Sequence, residues 1–189
     1  TTLFRALRRD RDRLAALAEI DQQIIAISET SEKTFDAILR YALKLLEVPK
    51  GWVMLDRATP NTVPVFHALG LEMPQAVEGA YQTHWPTLKR RLQQTGSDGY
   101  LARRSQDNVP DALKAAYDHE KIASTLTLPL WIRSRLTGIL VLVSTRPHRW
   151  TAEEINLAQM LARQASIALE KAQMAQANQQ RLEDTERLN

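Results

Sequence analysis

The chain has 189 residues, of which 44% are hydrophobic and 25% charged, with a formal net charge of +3. That length suits one domain with helical extensions, because globular domains take ~100–200 residues, and the composition excludes a disordered or fibrous chain. The absence of cysteine excludes disulfides, thiolate metal sites, thiol catalysis and thioether attachment of a cofactor.

No apolar run approaches the ~20 residues needed to cross a bilayer, the longest being of the kind Ile139 to Val143. No membrane insertion by this segment is expected. The chain starts Thr-Thr without a signal-peptide pattern, and both ends run through helical sequence, so it reads as a piece of a longer, cytoplasmic protein. The most basic run, Arg5, Arg8, Arg9, Arg11 and Arg13, is interleaved with Asp10 and Asp12. It reads as a solvated helix face, and no nucleic-acid partner is expected.

In chain order, residues 1–28 lack Pro and Gly and place Leu3, Leu7, Leu14, Leu17 and Ile24 on a three-four spacing completed by Asp10 and Asp21. This is a helix seam for a partner helix, interrupted by two acids that fix register at a cost in stability. A second amphipathic helix runs from Ser31 through Phe35, Ile38, Leu39, Ala42 and Leu46 and stops before Pro49. Trp52 to Leu55 and, after a turn at Thr59-Pro60-Asn61, Val63 to Phe66 read as a first strand pair.

The middle is looser. A helix is expected from Trp85-Pro86 to Gln94, closed by Gly96, then a short strand in Gly99 to Arg104 and a helix from Pro110 to Asp118. The strongest strands follow, Ser124 to Ile132 and Leu136 to Ser144, joined by a tight turn at Arg133-Ser134-Arg135. Thr151-Ala152-Glu153-Glu154 is a capping box. The helix it opens runs without Pro or Gly to Asn189; its first half is apolar and its second polar, so the second half projects from the domain.

These elements alone give an α+β domain with an antiparallel sheet. Residues Leu126 to Ala172 closely resemble the closing half of a GAF domain. The resemblance rests on Ser124 before an apolar strand ending in Pro129-Leu130, a basic turn, the strand Gly138 to Val143, the helix start Trp150 to Glu154, and the stretch Gln164 to Leu169. It implies an antiparallel sheet with the N- and C-terminal helices on one face, a variable helical and loop region on the other, and a long exit helix. The implied organisation is a dimerisation or signalling helix in 1–30, a GAF domain in 31–170, and a coiled-coil continuation of the exit helix in 171–189. Function is then expected to be sensory and not enzymatic.

Family members include bilin photoreceptors, haem-based sensors, cyclic-nucleotide receptors and free methionine sulfoxide reductases. Without cysteine, neither covalent bilin attachment nor the thiol chemistry of the reductase is open to this chain. The Asn-Lys-Phe-Asp-Glu signature of the cyclic-nucleotide receptors does not map onto it. Haem needs one axial imidazole, and His67, His84, His119 and His148 are available, but only ligand type supports it; no cofactor is expected. Asp118-His119-Glu120 reads as a helix-end charge cluster, since adjacent helical side chains diverge too far to share a metal. No phosphate loop, nucleophile elbow or His-Glu-x-x-His pair is present.

A non-covalent small-molecule pocket between the sheet and the middle helices remains. Its candidate lining is Phe66, Trp85, Leu88, Tyr100, Tyr117, Thr125 and Thr127, with Arg103 and Arg104 as candidates to meet an anion. The same residue types serve equally as core and strand residues. A homodimer is expected through Leu3, Leu7, Leu14, Leu17 and Ile24 of the first helix and Leu161, Ala168, Met174 and Leu182 of the last, driving an output domain such as a histidine kinase or nucleotide cyclase in the same longer chain. Two alternatives stand beside this sensor: a ligand-free structural dimerisation module, and a haem sensor.

Overall fold

The structure is a computed structural model that describes the backbone of residues 2–26, 31–58, 65–104, 107 and 109–189, and the side chains of these except 16–26 and 31. The expected turn at 59–61 and the seam side chains Leu17, Asp21 and Ile24 lie outside what is described. Five helices and five strands follow one another: α1 (Thr2–Ala26), α2 (Ser31–Leu46), β1 (Lys50–Leu55), β2 (Phe66–Leu69), α3 (Pro74–Thr95), β3 (Leu101–Arg104), α4 (Asp111–Glu120), β4 (Ser124–Ile132), β5 (Arg135–Ser144) and α5 (Ala152–Leu188). The strands form one antiparallel sheet in the order β2-β1-β5-β4-β3. The fold is α+β, as the strand and helix periods require.

Both faces of the sheet are covered, and strand alternation sorts the side chains between them. On one face Val53, Leu55, Leu126, Leu128, Leu140 and Leu142 meet Phe35, Ile38, Leu39 and Ala42 of α2 and Leu157, Leu161, Ala165 and Leu169 of α5. On the other, Trp52, Met54, Ile139, Val141 and Val143 meet Val77, Tyr81, Trp85, Leu88 and Leu92 of α3 and Leu113 and Tyr117 of α4. This two-sided burial explains why β4 and β5 read as nearly continuous apolar runs. No described side chain of α1 enters either core: Leu3, Phe4, Leu7 and Leu14 are all exposed.

Local chemistry sets the boundaries. The Thr151 hydroxyl accepts from the Glu154 amide at 3.2 Å and the Glu154 carboxylate accepts from the Thr151 amide at 3.0 Å, a complete capping box. The β4–β5 turn is a two-residue loop, with Arg133 and Ser134 at φ 49° and 65°, the left-handed pair a tight hairpin requires. Arg135, expected in the turn, already pairs with Ile132.

The expectation for α3 is corrected. The helix starts at Pro74, eleven residues before Trp85, and Pro86 lies inside it. An interior proline costs ~3 kcal/mol, but five large side chains of α3 are buried on one stripe, each contributing ~1.5–3 kcal/mol, so packing outweighs the break. A second correction concerns α5: Leu161 is fully buried and Ala168 nearly so, so both face the sheet and not a partner helix. The apolar side chains that α5 exposes are Met160, Ile167 and Met174, seven residues apart, and Leu182 and Leu188 beyond them.

Candidate functional site

An enclosed polar region lies at the β3 edge, between the sheet and helices α3 and α4. Register places it: Leu101 lies opposite Thr127 and Arg103 opposite Thr125, so all four point to the α3–α4 face. From above, α3 contributes Tyr81, His84 and Leu88, and α4 contributes Leu113 and Tyr117. This inner space is only about 10 Å³, the occupancy of a single water at most. It adjoins a larger recess of about 250 Å³ lined by His84, Thr87, Leu88, Arg91, Arg103 and Pro110. His84, Leu88 and Arg103 are common to both.

Of the sequence candidates, Leu88, Arg103, Tyr117, Thr125 and Thr127 are brought together here. Four are not: Arg104, next to Arg103 on β3, alternates to the other face of the strand, and topology places each of the other three elsewhere. Phe66 is on β2, the opposite edge strand, where it packs on Trp52 with ring centroids 6.3 Å apart. Trp85 is buried one position along α3 from His84 and faces the Asp56 carboxylate instead. Tyr100 precedes β3 and is exposed. Sequence reasoning missed Tyr81 and Arg91; the stripe Val77, Tyr81, His84, Leu88 at three-four spacing was the available signal, masked by reading Pro86 as a helix start.

The site's electrostatics follow from these positions. The Tyr81 and Tyr117 hydroxyls lie 2.8 Å apart in a buried pair. Burial, reinforced by the charge and hydrogen bond of Tyr117 and only partly offset by Arg103, pushes the Tyr81 phenol well above its usual range, so it stays protonated. Burial, then the fields of Arg103 and Arg91, hold the His84 imidazole below its ordinary value, so it is neutral at pH 7. Among the described residues, no carboxylate lines either space.

Two supports frame the region. The α3–β3 connection is tied to α5, where Gln159 donates to the Asp98 carbonyl at 2.7 Å and Arg163 to the Asp98 carboxylate at 3.1 Å. At the end of α4, Glu120 is 1% exposed and holds Lys50 together with the Glu72 and Met73 amides. The Asp118-His119-Glu120 charge cluster stands at the helix end, with Glu120 buried and its two neighbours exposed, His119 standing 3.8 Å from Glu72. No group of three or more His, Asp or Glu side chains is placed to hold a metal among the described residues.

A larger space, about 520 Å³, lies elsewhere, where α5 leaves the body beside the β4–β5 hairpin, lined among others by Arg133, Glu170, Met174 and Arg181. Its charges already pair in part, Arg133 with Glu170 at 3.2 Å, and its wall includes the projecting helix, so it is a groove between elements.

The sequence profile of the GAF domain family matches residues 30–169. The chain belongs to the GAF domain family. A search of curated proteins finds no match, whereas many solved structures share the fold. One is a GAF domain assigned to a sensor histidine kinase of Pseudomonas syringae pv. tomato, 18% identical, TM-score 0.65, covering 95% of this chain and 99% of that one. Another is the GAF domain of a phosphoenolpyruvate-protein phosphotransferase of Coxiella burnetii, 17% identical, TM-score 0.64, covering 87% and 96%. A third is the phycoerythrobilin-bound GAF domain of a cyanobacterial phytochrome, 12% identical, TM-score 0.57, covering 86% and 96%. At these identities the likeness is one of fold.

Proposed function

We propose that this GAF domain is a regulatory, non-catalytic sensor module of a cytoplasmic bacterial signalling protein, which binds a small molecule non-covalently and works as a parallel homodimer. The observation that carries this reading is the double role of α5. Its first half closes the sheet through Leu157, Leu161, Ala165 and Leu169, while no residue from Lys171 to Leu188 is buried, a projection of roughly 27 Å at 1.5 Å per residue. A single helix that is part of the core and also leaves it transmits displacement of the sheet outward.

The partner for the projecting part is a second copy. Met160, Ile167 and Met174 form an exposed heptad stripe on α5, continued approximately by Leu182, and Leu3, Leu7 and Leu14 a second on α1. Leu17 and Ile24 extend the α1 seam in sequence. The polar residues between them give a weak coiled coil, suited to a switch between packings feeding an output domain such as a histidine kinase.

No cofactor is assigned. A recess of 250 Å³ is below the ~300–1,000 Å³ of drug-sized sites, and a chain without cysteine has no thiol to attach a bilin, which favours a small, non-covalent ligand over a tetrapyrrole. A purely structural, ligand-free dimerisation module is the second reading, favoured by the inner cavity of only 10 Å³. Native mass spectrometry of the purified protein tests both. A dimer that becomes monomeric when Met160, Ile167 and Met174 are all changed to Ser is expected; a wild-type monomer at high concentration overturns the dimer. Retained mass favours the sensor over the structural module.

A further inference from the structure

The recess at the β3 edge carries unsatisfied chemistry of one sign. Arg103 is half-buried on an edge strand and Arg91 flanks the recess from α3, and neither has an ion-pair or hydrogen-bond partner among the described residues. Half-buried guanidinium groups are ordinarily paired, because removing a charge from water without a counter-charge is costly. His84, Thr125 and Thr127 are 8%, 2% and 5% exposed. All three line the inner space beside the recess, and His84 lines the recess as well. Two cations and an imidazole thus line one recess, with no carboxylate among its described lining residues.

We propose that this recess is the receptor site for a small organic carboxylate, whose oxygens meet Arg103, Arg91 and His84 and whose carbon skeleton lies toward Leu88. This deepens the sensor reading and rests on it. The guanidinium fork matches the planar carboxylate in a bidentate manner. Size limits the ligand: 250 Å³ divided by the ~30 Å³ that a water occupies in the liquid gives about eight non-hydrogen atoms. Beyond the charges the recess is walled by Leu88 and Pro110, which suits a short carbon body better than a bare inorganic anion. The neutral His84 ring donates one N–H to an oxygen without adding a charge to be neutralised.

Isothermal titration calorimetry of the full chain with acetate, succinate and benzoate, each beside its neutral amide, tests this, with NMR of the His84 ring signals to locate binding. At least one carboxylate is expected to bind, to move the His84 signals, and to bind at least about tenfold more tightly than its amide, since a charge-assisted hydrogen bond contributes ~1.5–3 kcal/mol and 1.4 kcal/mol is tenfold. Arg103→Gln and the more exposed Arg91→Gln each weaken it about tenfold, whereas Arg149→Gln, on an exposed loop position, leaves it unchanged. Inorganic phosphate binding at His84 without any of the three carboxylates overturns the ligand class, as does an amide that binds equally well; either leaves the sensor reading standing. No binding by any probe, or binding indifferent to Arg91 and Arg103, overturns the site. The dimer measured by mass spectrometry tests the module's architecture independently of all these outcomes.

Discussion

The Lys50 ammonium and the Glu120 carboxylate meet at 2.8 Å although 70 residues separate them, and the same carboxylate accepts hydrogen bonds from the Glu72 and Met73 amides at 3.1 and 2.7 Å. Lys50 also donates to the Glu120 backbone carbonyl at 2.9 Å. One nearly inaccessible acid thus joins the start of β1, the entry to α3 and the end of α4. All of its strong partners are supplied by elements that must already be folded, so it is a lock on the α3–α4 layer that forms one wall of the site.

Removing one partner of such a pair leaves a buried charge. Lys50→Met is expected to destabilise the protein by about 3 kcal/mol in urea unfolding, and Glu120→Gln by a similar amount. The pH dependence has a definite sign. Burial pushes the Glu120 carboxyl up, but Lys50 and the two amides together outweigh it and leave it below the ordinary glutamate value of 4.5. The folded state therefore binds its proton more weakly than the unfolded one, and the stabilisation is complete above pH 4.5 and lost as pH falls through the lower folded value. Wild-type protein is expected to lose more stability between pH 5 and pH 3 than Glu120→Gln does. Equal slopes would show that Glu120 is not the group responsible.

His84 gives a second acid-side effect at higher pH. Its burial and the neighbouring Arg103 and Arg91 lower its affinity for a proton in the fold. Stability from this group is fully present above the ordinary histidine value of 6.5 and declines as pH falls from there toward the lower folded value, because the unfolded chain then binds the extra proton. The groups that bear on it are Arg91 on its own helix and Arg103 from β3, with the tyrosine pair behind. An NMR titration is expected to place the His84 ring below its unfolded reference, and Arg91→Gln to move it part of the way back up. A ring that titrates at or above 6.5 in the free protein would contradict the placement.

Gly138 leaves no room for a side chain between β5 and β1. A Cβ there would clash with the Met54 carbonyl oxygen and stand 2.8 Å from a Leu55 methyl, and Leu55 pairs directly with Gly138 in the sheet. Gly138→Ala must push β1 and β5 apart, at a cost of about 2 kcal/mol. Gly79→Ala, with open space around it, is expected to be neutral or slightly stabilising, since it lies in α3. Thermal unfolding of the two variants side by side checks the contrast.

The parts of this fold that were legible in the sequence are those whose signal is local. The β4–β5 hairpin and the Thr151 capping box announce themselves through alternation, turn residues and a four-residue motif, and the structure has them in place. The start of α3 was hidden because Pro86 has the same local signature at a first helical turn as inside a helix held by packing. Leu161 and Ala168 were placed on a dimer seam because both faces of α5 carry apolar residues near seven-residue spacing, and only the tertiary fold says that Leu161 faces the sheet and Met160 does not. The site behaved in the same way. Thr125, Thr127 and Arg103 were legible as a polar edge, whereas Phe66 was misplaced because the strand order that puts β2 on the far side of the sheet is absent from any local pattern.

The last prediction concerns how the site would reach α5. Residues Gly96 to Tyr100 join α3, which carries His84 and Arg91, to β3, which carries Arg103. A ligand drawing those two elements together bends this connection. Asp98, at its centre, is held by Gln159 and Arg163 of α5, on the part of the helix that packs on the sheet. The contacts are exposed, with Arg163 and Asp98 side chains at 60% and 78% accessibility, so they contribute little to stability. Their expected role is to couple movement. Replacing both Gln159 and Arg163 with Ala is expected to leave the melting temperature near the wild-type value and to speed amide hydrogen exchange in residues 97–100. Disulfide cross-linking of a single cysteine introduced at Asn178, on the projecting half of α5, reads the second effect: its rate in the dimer is expected to change on carboxylate addition in the wild-type background and to stay constant in the double variant. If the double variant still responds, the signal reaches α5 through the sheet, by the contacts of β4 with Leu161 and Ala165, and Asp98 is only a surface tether.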